Sequence, residues 1–515
     1  MSTAMADLAS IVGQDLPNPL LEGLDASRQA PPNVLVVFGA SGDLTSRKLM
    51  PALASLAQKR QLPGSFAVVG IARTELNDED FRKLAIEAVP GAGPEWESLV
   101  RNFRYVTGEY ADEQTFDDLE RVLGEIDSER GTSGNRTYYL ATIPGVFEQV
   151  ITKLGQHGLV DQSNGNFARV IIEKPFGHDL DSARHLDAAI HKVLGEEQIY
   201  RIDHYLGKET VQNVMALRFA NAIFEPIWDR RYIDSVQITV AESVGVGHRG
   251  GFYEGAGAMR DIVQNHLLQV LAITLMEPPA SMDSTGIRDE KVKALRAVDI
   301  LKPDDVEQNV VRAQYASGWL DGQEVRGYRE EEDVDPNSRT ETYMAMKMKV
   351  DNWRWAGVPI FVRTGKRLPK RVTEVALQFH NVPHSPFQAS DTRGLGPNAM
   401  VLRIQPDEGI TMRFGAKVPG QSFRVRDVSM DFSYGAAFIE ETPDAYERLL
   451  LDAMVGDATL FIRTDEVEQA WRIVAPLQEA WSNPSFPLAR YEAGTWGPEE
   501  ADRLLQRSGR KWREP

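Results

Sequence analysis

The first part of the chain alternates short apolar runs with longer segments rich in Ala, Leu and Glu. The runs that we predict as strands are residues 34–38, 66–72, 103–106, 137–141 and 169–173. Each run is short and apolar enough for a buried strand, and the intervening segments are long enough for helices. Strands that alternate with helices pair in parallel through right-handed crossovers. Residues 33–200 therefore predict a doubly wound α/β domain with a Rossmann-like, parallel sheet.

The second part shows a different pattern, in which apolar and polar residues alternate with a period of two. The segments with this alternation are 235–240, 344–350, 374–379, 400–404 and 423–428. It is typical of antiparallel strands with one covered face. Two long helical runs, 253–276 and 444–454, interrupt these segments. We therefore predict an α+β domain over residues 201–515, built on a large, mostly antiparallel sheet.

The composition is that of an ordinary globular protein. The chain has 515 residues, of which 42% are hydrophobic, so it can bury a sizeable core. No apolar run approaches the ~20 residues that a membrane-spanning helix needs. Residues 1–32 lack the basic and apolar regions of a secretory signal, and we expect them to form a flexible tail.

Charge and cysteine usage narrow the possible partners. The formal net charge is −18, which on average repels nucleic acid and anionic membranes, so neither is expected as a partner. The chain has no cysteine, which excludes disulfides and thiolate ligands and favours a reducing cytoplasm. It also lacks a His-Glu-x-x-His spacing, and we expect no metal site. An anionic ligand must then meet a local cluster of cations.

A glycine turn follows the first predicted strand at residues 39–44, GASGDL. Gly39 and Gly42 allow a tight turn and a close approach of the backbone to a pyrophosphate, at the N-terminus of the next helix. The spacing G-x-x-G is shorter than the full G-x-G-x-x-G fingerprint, so an ordinary strand–turn–helix is the alternative. The strand before it and the helical pattern after it favour a dinucleotide site.

Arg73 follows the second predicted strand, where NAD-specific sites usually carry an acidic residue for the ribose hydroxyls. An arginine suits a 2′-phosphate instead, through a charge-assisted contact. Arg47 and Lys48, just after the glycine turn, lie close enough in sequence to join it. This pattern predicts NADP over NAD, with a solvated surface arginine as the alternative.

Candidate ligand-binding and catalytic side chains are most closely spaced in residues 201–209, RIDHYLGKE, which we call the phosphate-binding segment. His204 and Lys208 are donors for an anion, Tyr205 adds a phenol, and Asp203 adds a carboxylate that can orient a base. A phosphate-binding segment and a dinucleotide turn in one chain predict redox chemistry on a phosphorylated substrate.

His266 lies on the apolar stripe of a predicted helix, with Ile262, Val263, Val270 and Leu271 at helical spacing. A histidine on such a stripe is most often a core residue. Asp203 changes this expectation, because a carboxylate can hold the imidazole in one tautomer and stabilise its protonated form. The pair would supply the base that oxidation of an alcohol requires.

Two basic segments remain. Lys174 follows the last strand of the first domain, at the edge where open α/β sheets bind ligands. Residues 363–371, RTGKRLPKR, form the densest basic cluster of the chain. A contact to phosphate or sugar is one interpretation of this cluster, and a solvated surface loop is the other.

Together these motifs resemble the glucose-6-phosphate dehydrogenases, the NADP-linked entry enzymes of the pentose phosphate pathway. The motifs that carry the resemblance are residues 39–44 (GASGDL), 173–177 (EKPFG), 201–209 (RIDHYLGKE), 260–266 (RDIVQNH), 363–366 (RTGK) and 403–406 (RIQP). They occur in consistent order, and the likeness spans residues 33–490. The phosphate-binding segment is the most specific of them.

The resemblance implies that His266 is the general base and that Asp203 orients it. The base would take the proton of the anomeric hydroxyl of D-glucose 6-phosphate while a hydride passes from C1 to NADP. The substrate-binding residues that it implies are His204, Tyr205, Lys208, Lys174, Glu242, Asp261, Lys366 and Arg371. The cofactor-binding residues that it implies are Gly39, Ser41, Gly42, Asp43, Leu44, Arg47, Arg73 and Lys174. It also implies a homodimer or homotetramer that associates through the sheet domain.

Some positions depart from the family pattern or leave alternatives open. Thr45 and Ser46 stand where many members have Ala-Lys, so the charge for the cofactor rests on the arginines and Lys48. Either Lys370 or Arg371 is the second basic residue of the substrate site. Another hexose 6-phosphate or a free sugar is an alternative substrate, and binding of NADP without turnover is an alternative function.

Overall fold

The computed structural model of the protein describes residues 28–387, 392, 395–420, 423–437 and 444–515. These residues form two large sheets of seven and nine strands and one small hairpin. The strands, numbered in chain order, are β1 Asn33–Phe38, β2 Phe66–Ala72, β3 Phe103–Thr107, β4 Arg136–Leu140, β5 Ala168–Ile172, β6 Ile199–Ile202, β7 Ile233–Ala241, β8 Val310–Ala316, β9 Gly318–Leu320, β10 Gln323–Val325, β11 Tyr343–Met348, β12 Ile360–Gly365, β13 Val372–Phe379, β14 Ala399–Gln405, β15 Gly409–Lys417, β16 Val425–Ser433, β17 Phe461–Ile462 and β18 Ala489–Glu492.

The first sheet has the order β17-β6-β5-β4-β1-β2-β3. The strands β1 to β6 pair in parallel, and only the short edge strand β17 is antiparallel. The fully buried strands β1, β2 and β4 form its centre, with helices between successive strands. The predicted α/β domain with a parallel, Rossmann-like sheet is confirmed. The five predicted strands are present, and β6 and β17 extend the sheet at one side.

The second sheet has the order β16-β15-β14-β13-β7-β12-β11-β8-β18. Two of its pairs, β7–β12 and β8–β18, are parallel, and the others are antiparallel. The predicted large, mostly antiparallel sheet is therefore confirmed. The segment predicted at 423–428 forms β16 at Val425–Ser433, because its pairing with β15 runs to Ser433.

The helices cover both sheets. The α-helices are Met50–Gln58, Asp78–Ala88, Pro94–Val100, Glu113–Arg130, Phe147–Gln156, Leu180–Ile190, Glu209–Phe219, Gly250–Ala258, Leu268–Leu275, Ser284–Arg296, Pro303–Asn309, Tyr434–Ala437, Ala445–Val455, Thr464–Ser482 and Glu499–Gln506. Two π-helical segments are Thr45–Leu49 and Met259–Leu267, and the short 3₁₀ turns are Pro144–Val146, Glu196–Gln198, Glu225–Ile227, Gly247–Arg249 and Tyr328–Glu330. No helix in these described parts of the chain is both long and apolar enough to cross a membrane.

The helix predicted at 253–276 consists of three segments rather than one. Gly257 leaves helical geometry, with φ +64°, and a Cβ there would lie 2.4 Å from an oxygen of Glu341. The buried carboxylate of Glu341 accepts a hydrogen bond from the Met259 N–H at 3.0 Å. It therefore caps the segment Met259–Leu267, which carries His266.

The two halves of the chain are interleaved. Strand β6 crosses the predicted boundary between residues 200 and 201, and β17 returns from the second half to pair with it. Residues 1–27 of the predicted tail lie outside the described residues. Residues 28–32 pack on the protein rather than extending the tail, because Arg28 bonds to Asp452 at 2.6 Å and Ala30 is buried.

Candidate active site

Three strands of the first sheet end at the same place. β1 ends before Gly39, β5 ends before Glu173 and Lys174, and β6 ends before Asp203. Because these strands lie in one parallel sheet, their carboxyl ends share one edge, where open α/β sheets bind ligands. The topology thus brings the predicted dinucleotide turn and the start of the phosphate-binding segment to a common cleft.

His266 and Asp203 are in direct contact. The imidazole Nδ1 lies 2.5 Å from Asp203 Oδ1, which also accepts a hydrogen bond from the Tyr205 N–H at 2.9 Å. Both side chains are buried, with an exposed fraction of 1% for each residue. With Nδ1–H donating to the carboxylate, Nε2 keeps its lone pair and can accept a proton. The two residues that the sequence suggested as a pair therefore form one.

Burial and charge have opposite effects on the pKa values of Asp203 and His266. Burial raises the pKa of Asp203, but the attraction of His266 and the hydrogen bond between them lower it to about 2. Burial lowers the pKa of His266, and Asp203 only partly opposes this effect. The carboxylate is therefore ionised, and the imidazole is held in its neutral, basic form near neutral pH.

The rest of the phosphate-binding segment surrounds the imidazole. The Tyr205 ring stacks on that of His266 at 4.4 Å and 21°, and the His204 ring meets it edge-on at 4.6 Å. Burial lowers the pKa of His204 well below 6.5. Burial raises the pKa of Tyr205 to about 12, so its hydroxyl stays a donor. Arg201, at the start of the segment, turns away and pairs with Asp187 and Glu196.

Lys208 lies at the outer end of this group. Its ammonium is 4.6 Å above the Tyr205 ring and donates to Gln405 Oε1, which also accepts from Arg371 at 3.4 Å. Burial lowers the pKa of Lys208 to about 8, and nearby Arg371 adds to this effect. Two cations thus converge on one neutral amide. Lys370 is the alternative to Arg371. Burial raises the pKa of Glu374, and the charge of Lys370 is the weakest of those that oppose this effect.

A second group of charged residues also lies near His266. Lys174 Nζ donates to the Asp261 carbonyl at 2.8 Å and to its Oδ1 at 3.1 Å. Lys366 Nζ donates to Glu242 Oε2 at 2.6 Å and lies 3.9 Å from Asp261 Oδ2. Glu242 and Lys366 come together because the parallel strands β7 and β12 end side by side.

The charges of two lysines determine the protonation state of Asp261. Burial raises the pKa of its carboxyl group, but the two lysines, Lys174 and Lys366, lower it to about 2. The cluster therefore holds two carboxylates and two ammonium groups that can bind hydroxyl groups.

The glycine turn has the geometry that the sequence predicts. Gly39 has φ +87°, and a Cβ there would lie 2.3 Å from the Ala141 carbonyl oxygen, so no other residue fits. The Gly42 N–H donates to the Gly39 carbonyl at 3.0 Å, and Leu44 packs against the core. Ser41 Oγ lies 2.9 Å from Thr74 Oγ1, just beyond Arg73. The ends of β1 and β2 thus lie together around the turn.

The three cations predicted for the cofactor differ in their partners. Arg47 pairs with Asp43 at 2.9 Å, and Lys48 pairs with Asp444 at 3.0 Å. Arg73 is exposed, and within the described ranges it forms no hydrogen bond or ion pair with another side chain. Of the three, Arg73 is the one that is not already paired with a carboxylate.

Two protein-family models match the two halves of the chain. The model described as glucose-6-phosphate dehydrogenase, NAD binding domain, matches residues 36–213, and the C-terminal domain model of the same name matches residues 215–513. The chain belongs to the glucose-6-phosphate dehydrogenase family. The resemblance seen in the sequence motifs is confirmed.

Curated members of the glucose-6-phosphate dehydrogenase family match nearly the whole chain. "Glucose-6-phosphate 1-dehydrogenase 2" of Mycobacterium tuberculosis is 49% identical over 506 residues, which cover 97% of this chain and 98% of that protein. "Glucose-6-phosphate 1-dehydrogenase" of Aggregatibacter actinomycetemcomitans is 50% identical over 485 residues, with 93% and 97% covered.

Solved structures of the glucose-6-phosphate dehydrogenase family share the fold. A structure described as glucose-6-phosphate dehydrogenase in complex with its substrate glucose-6-phosphate has a TM-score of 0.86 at 34% identity, and 95% of this chain and 100% of that one are covered. The enzyme from Mycobacterium avium has a TM-score of 0.81 at 38% identity, with 95% and 99% covered.

One group in this glucose-6-phosphate dehydrogenase site also has the chemistry of metal ligands. Asp203, His204 and His266 each offer one ligand atom, and these atoms lie within 4.8 Å of one another. The nitrogen that faces the carboxylate is already engaged, because His266 Nδ1 bonds Asp203 Oδ1. The same atoms also suit a base and its orienting carboxylate, and the expectation of no metal site stays a prediction.

Several side chains of this glucose-6-phosphate dehydrogenase site were not predicted from the sequence. Gln405 and Thr373 complete the hydrogen bonds around Tyr205, with Gln405 Nε2 donating to Thr373 Oγ1 at 2.9 Å. Glu173 and Tyr446 line the cleft beside His204. Gln405 lies in the motif 403–406 (RIQP) and Glu173 in the motif 173–177 (EKPFG). The sequence motifs therefore included these two residues, although the predicted roles fell on other residues of the motifs.

Proposed function

We propose that the protein is a glucose-6-phosphate dehydrogenase. It oxidises D-glucose 6-phosphate at C1 to 6-phospho-D-glucono-1,5-lactone with transfer of a hydride to NADP⁺, the first step of the oxidative pentose phosphate pathway. The observation that carries this proposal is the buried contact of 2.5 Å between His266 and Asp203, beside the phosphate-binding segment. Membership of the family and the names of the similar proteins support the same activity.

In this proposal His266 Nε2 takes the proton of the C1 hydroxyl. Asp203 holds the ring through Nδ1 and stabilises the positive charge that the imidazole gains. Because, despite its burial, His266 and the Tyr205 N–H hold the pKa of Asp203 below its ordinary value, its negative charge is present near neutral pH. The bound NADP⁺ supplies the acceptor for the hydride that leaves C1.

The charged groups near the base hold the substrate. His204, Tyr205 and Lys208 bind the 6-phosphate, with Arg371 near the same place, since Lys208 and Arg371 already converge on Gln405. The cluster of Lys174, Asp261, Lys366 and Glu242 binds the sugar hydroxyls. The phosphate at one end and the hydroxyls at the other then fix C1 at His266.

The glycine turn holds the cofactor. Gly39, Ser41 and Gly42 let the backbone approach its pyrophosphate, and Asp43 and Leu44 complete the turn. Arg73 and Arg47 bind the 2′-phosphate, and Lys174 lies between sugar and nicotinamide. We also propose a cytoplasmic homodimer or homotetramer that associates through the sheet domain, as the resemblance implies.

The test is the rise of absorbance at 340 nm with purified protein, glucose 6-phosphate and NADP⁺, repeated with NAD⁺ and with free glucose. Turnover of glucose 6-phosphate and not of glucose supports the phosphate-binding role of residues 201–209. No turnover by the folded protein, together with binding of NADP⁺, would favour the non-enzymatic alternative. Faster turnover of another hexose 6-phosphate would correct the substrate.

Arg73→Ala is expected to raise the KM for NADP⁺ about tenfold or more and to change the KM for NAD⁺ much less. The reason is that the arginine is free to form a charge-assisted contact with the 2′-phosphate, which NAD⁺ lacks. Steady-state kinetics with both cofactors measure this difference. Arg121→Ala, an exposed arginine on the helix Glu113–Arg130, is the control. Equal losses with both cofactors would contradict the assignment.

A further inference from the structure

Glu173 lies between two tyrosines from different parts of the fold. Tyr139, on β4, donates a hydrogen bond to Glu173 Oε1 at 2.6 Å. Tyr446, in the first turn of the helix Ala445–Val455, has its hydroxyl close enough to the same carboxyl group to lower the pKa of Glu173. The sheet of the first half and a helix of the second half are thus joined through one side chain.

The carboxyl group of Glu173 depends on these donors. Burial raises its pKa, and the hydroxyls of Tyr139 and Tyr446 and the charge of Lys174 oppose this effect, while Asp203 adds to it. A carboxylate in such a place costs free energy unless it is hydrogen-bonded. The hydrogen bond from Tyr139 therefore stabilises the ionised form and fixes its orientation, and the nearby hydroxyl of Tyr446 adds to the stabilisation.

Tyr446 also contacts both ligand sites. Its ring lies parallel to that of His204, 6.2 Å away and at 12°, on the side of the phosphate-binding segment. The ammonium of Lys48, from the segment after the glycine turn, lies 5.9 Å from the ring. Asp444, the residue that caps this helix, holds Lys48 at 3.0 Å. One helix end therefore lies between the cofactor turn and the phosphate-binding segment.

We propose that Tyr139, Glu173 and Tyr446 form a clamp that positions Lys174 and His204 for the reaction. Glu173 is adjacent to Lys174 in the chain, so fixing its side chain fixes the backbone from which Lys174 reaches Asp261. The Tyr446 ring lies parallel to that of His204 and restricts its position. All three are positioning residues, and their kinetic role rests on the proposed dehydrogenase activity.

The chain offers a matched control for this clamp. Tyr138, the neighbour of Tyr139 on β4, is equally buried and donates its hydroxyl at 2.6 Å to the Leu159 carbonyl, on the other face of the sheet. Tyr138→Phe and Tyr139→Phe each remove one buried hydroxyl from the same strand. A loss that comes only from a weakened fold would be similar in both variants.

The experiment compares steady-state kinetics of Tyr138→Phe, Tyr139→Phe, Tyr446→Phe and Tyr446→Leu with the parent protein. We expect Tyr139→Phe and Tyr446→Phe each to lower kcat about tenfold, with a small change in the KM for glucose 6-phosphate. Tyr446→Leu, which also removes the ring behind His204, should in addition raise that KM. Tyr138→Phe should keep the parent kcat. Equal kcat in Tyr138→Phe and Tyr139→Phe would overturn the proposal.

A mutant cycle shows whether the tyrosines act through the carboxylate. In a Glu173→Gln background, Tyr446→Phe should change kcat by much less than in the parent protein. If Glu173→Gln does not fold, the Tyr139→Phe/Tyr446→Phe double variant replaces it, and its loss should be smaller than the product of the single losses. An unchanged or multiplicative loss would overturn the clamp.

A failure of the activity itself is separable from a failure of the clamp. If the parent protein does not turn over glucose 6-phosphate, the proposed function fails. The clamp is then tested by urea unfolding of the two single variants and the double variant. Coupled losses of unfolding free energy support two hydroxyls on one carboxylate, and additive losses refute it.

Discussion

His266→Asn is expected to lower kcat by about 10²–10⁴-fold while the KM for glucose 6-phosphate stays nearly unchanged. The substitution removes the imidazole that is hydrogen-bonded to Asp203 and that would accept the C1 proton, but asparagine leaves the surrounding phosphate and hydroxyl contacts in place. A group that acts only in the transition state changes kcat and kcat/KM together. Steady-state measurement of NADPH formation at 340 nm gives both constants.

The control for this prediction is His185→Asn. His185 is exposed on the helix Leu180–Ile190 and contacts only Glu148, at 3.5 Å, among its charged neighbours in the described residues. It should keep the parent kcat, which shows that loss of an imidazole elsewhere is harmless. If His266→Asn also kept most of its kcat, His266 would not be the base, and the buried pair with Asp203 would have a structural role alone.

The second large effect concerns the other end of the substrate. Lys208→Ala is expected to raise the KM for glucose 6-phosphate about 10- to 100-fold, because a charge-assisted bond to the phosphate is lost. Burial lowers the pKa of Lys208 to about 8 in the absence of a ligand, so a dianionic phosphate would restore its full charge. The KM for NADP⁺ should change far less, since the glycine turn holds the cofactor separately.

Lys293→Ala is the control for the lysine. Lys293 is exposed on the helix Ser284–Arg296 and pairs with Glu290 at 3.1 Å, away from the cleft. Both variants are assayed with glucose 6-phosphate and NADP⁺ varied in turn. Equal rises of KM for substrate and cofactor in Lys208→Ala would count against a phosphate-binding role, because a local contact should affect the ligand that it touches.

The sequence predicts the fold well where periodicity is strong. The buried runs that became β1, β2, β4 and β5 and the alternating run that became β7 are present near the expected bounds. β6 and β17 were missed for physical reasons. β6 is short and merges with the phosphate-binding segment, and β17 has two residues whose strand state depends on pairing with β6, a contact that no local pattern reports.

In the candidate site, too, the residues with a recognisable local pattern were predicted and those that depend on distant contacts were missed. His266 and Asp203 were expected to meet because chemistry required a base and an orienting carboxylate, and the structure brings them together. Gln405, Glu173 and Tyr446 were missed because their roles come from distant partners. Tyr446 resembles any aromatic residue in the first turn of a helix until the fold places Glu173 and His204 beside it.

The return of β17 to the first sheet has a consequence for synthesis and for fragments. Among the described residues, the strand that pairs with the outer edge of β6, next to Asp203, is residues 461–462, which the ribosome makes after the whole run from β7 to β16. Until then the backbone donors and acceptors of this edge have no strand partner, and open edges pair readily with other chains. A nascent chain or a fragment that ends before β17 is therefore expected to expose an unpaired strand edge beside Asp203, and residues of the first half alone do not complete the first sheet.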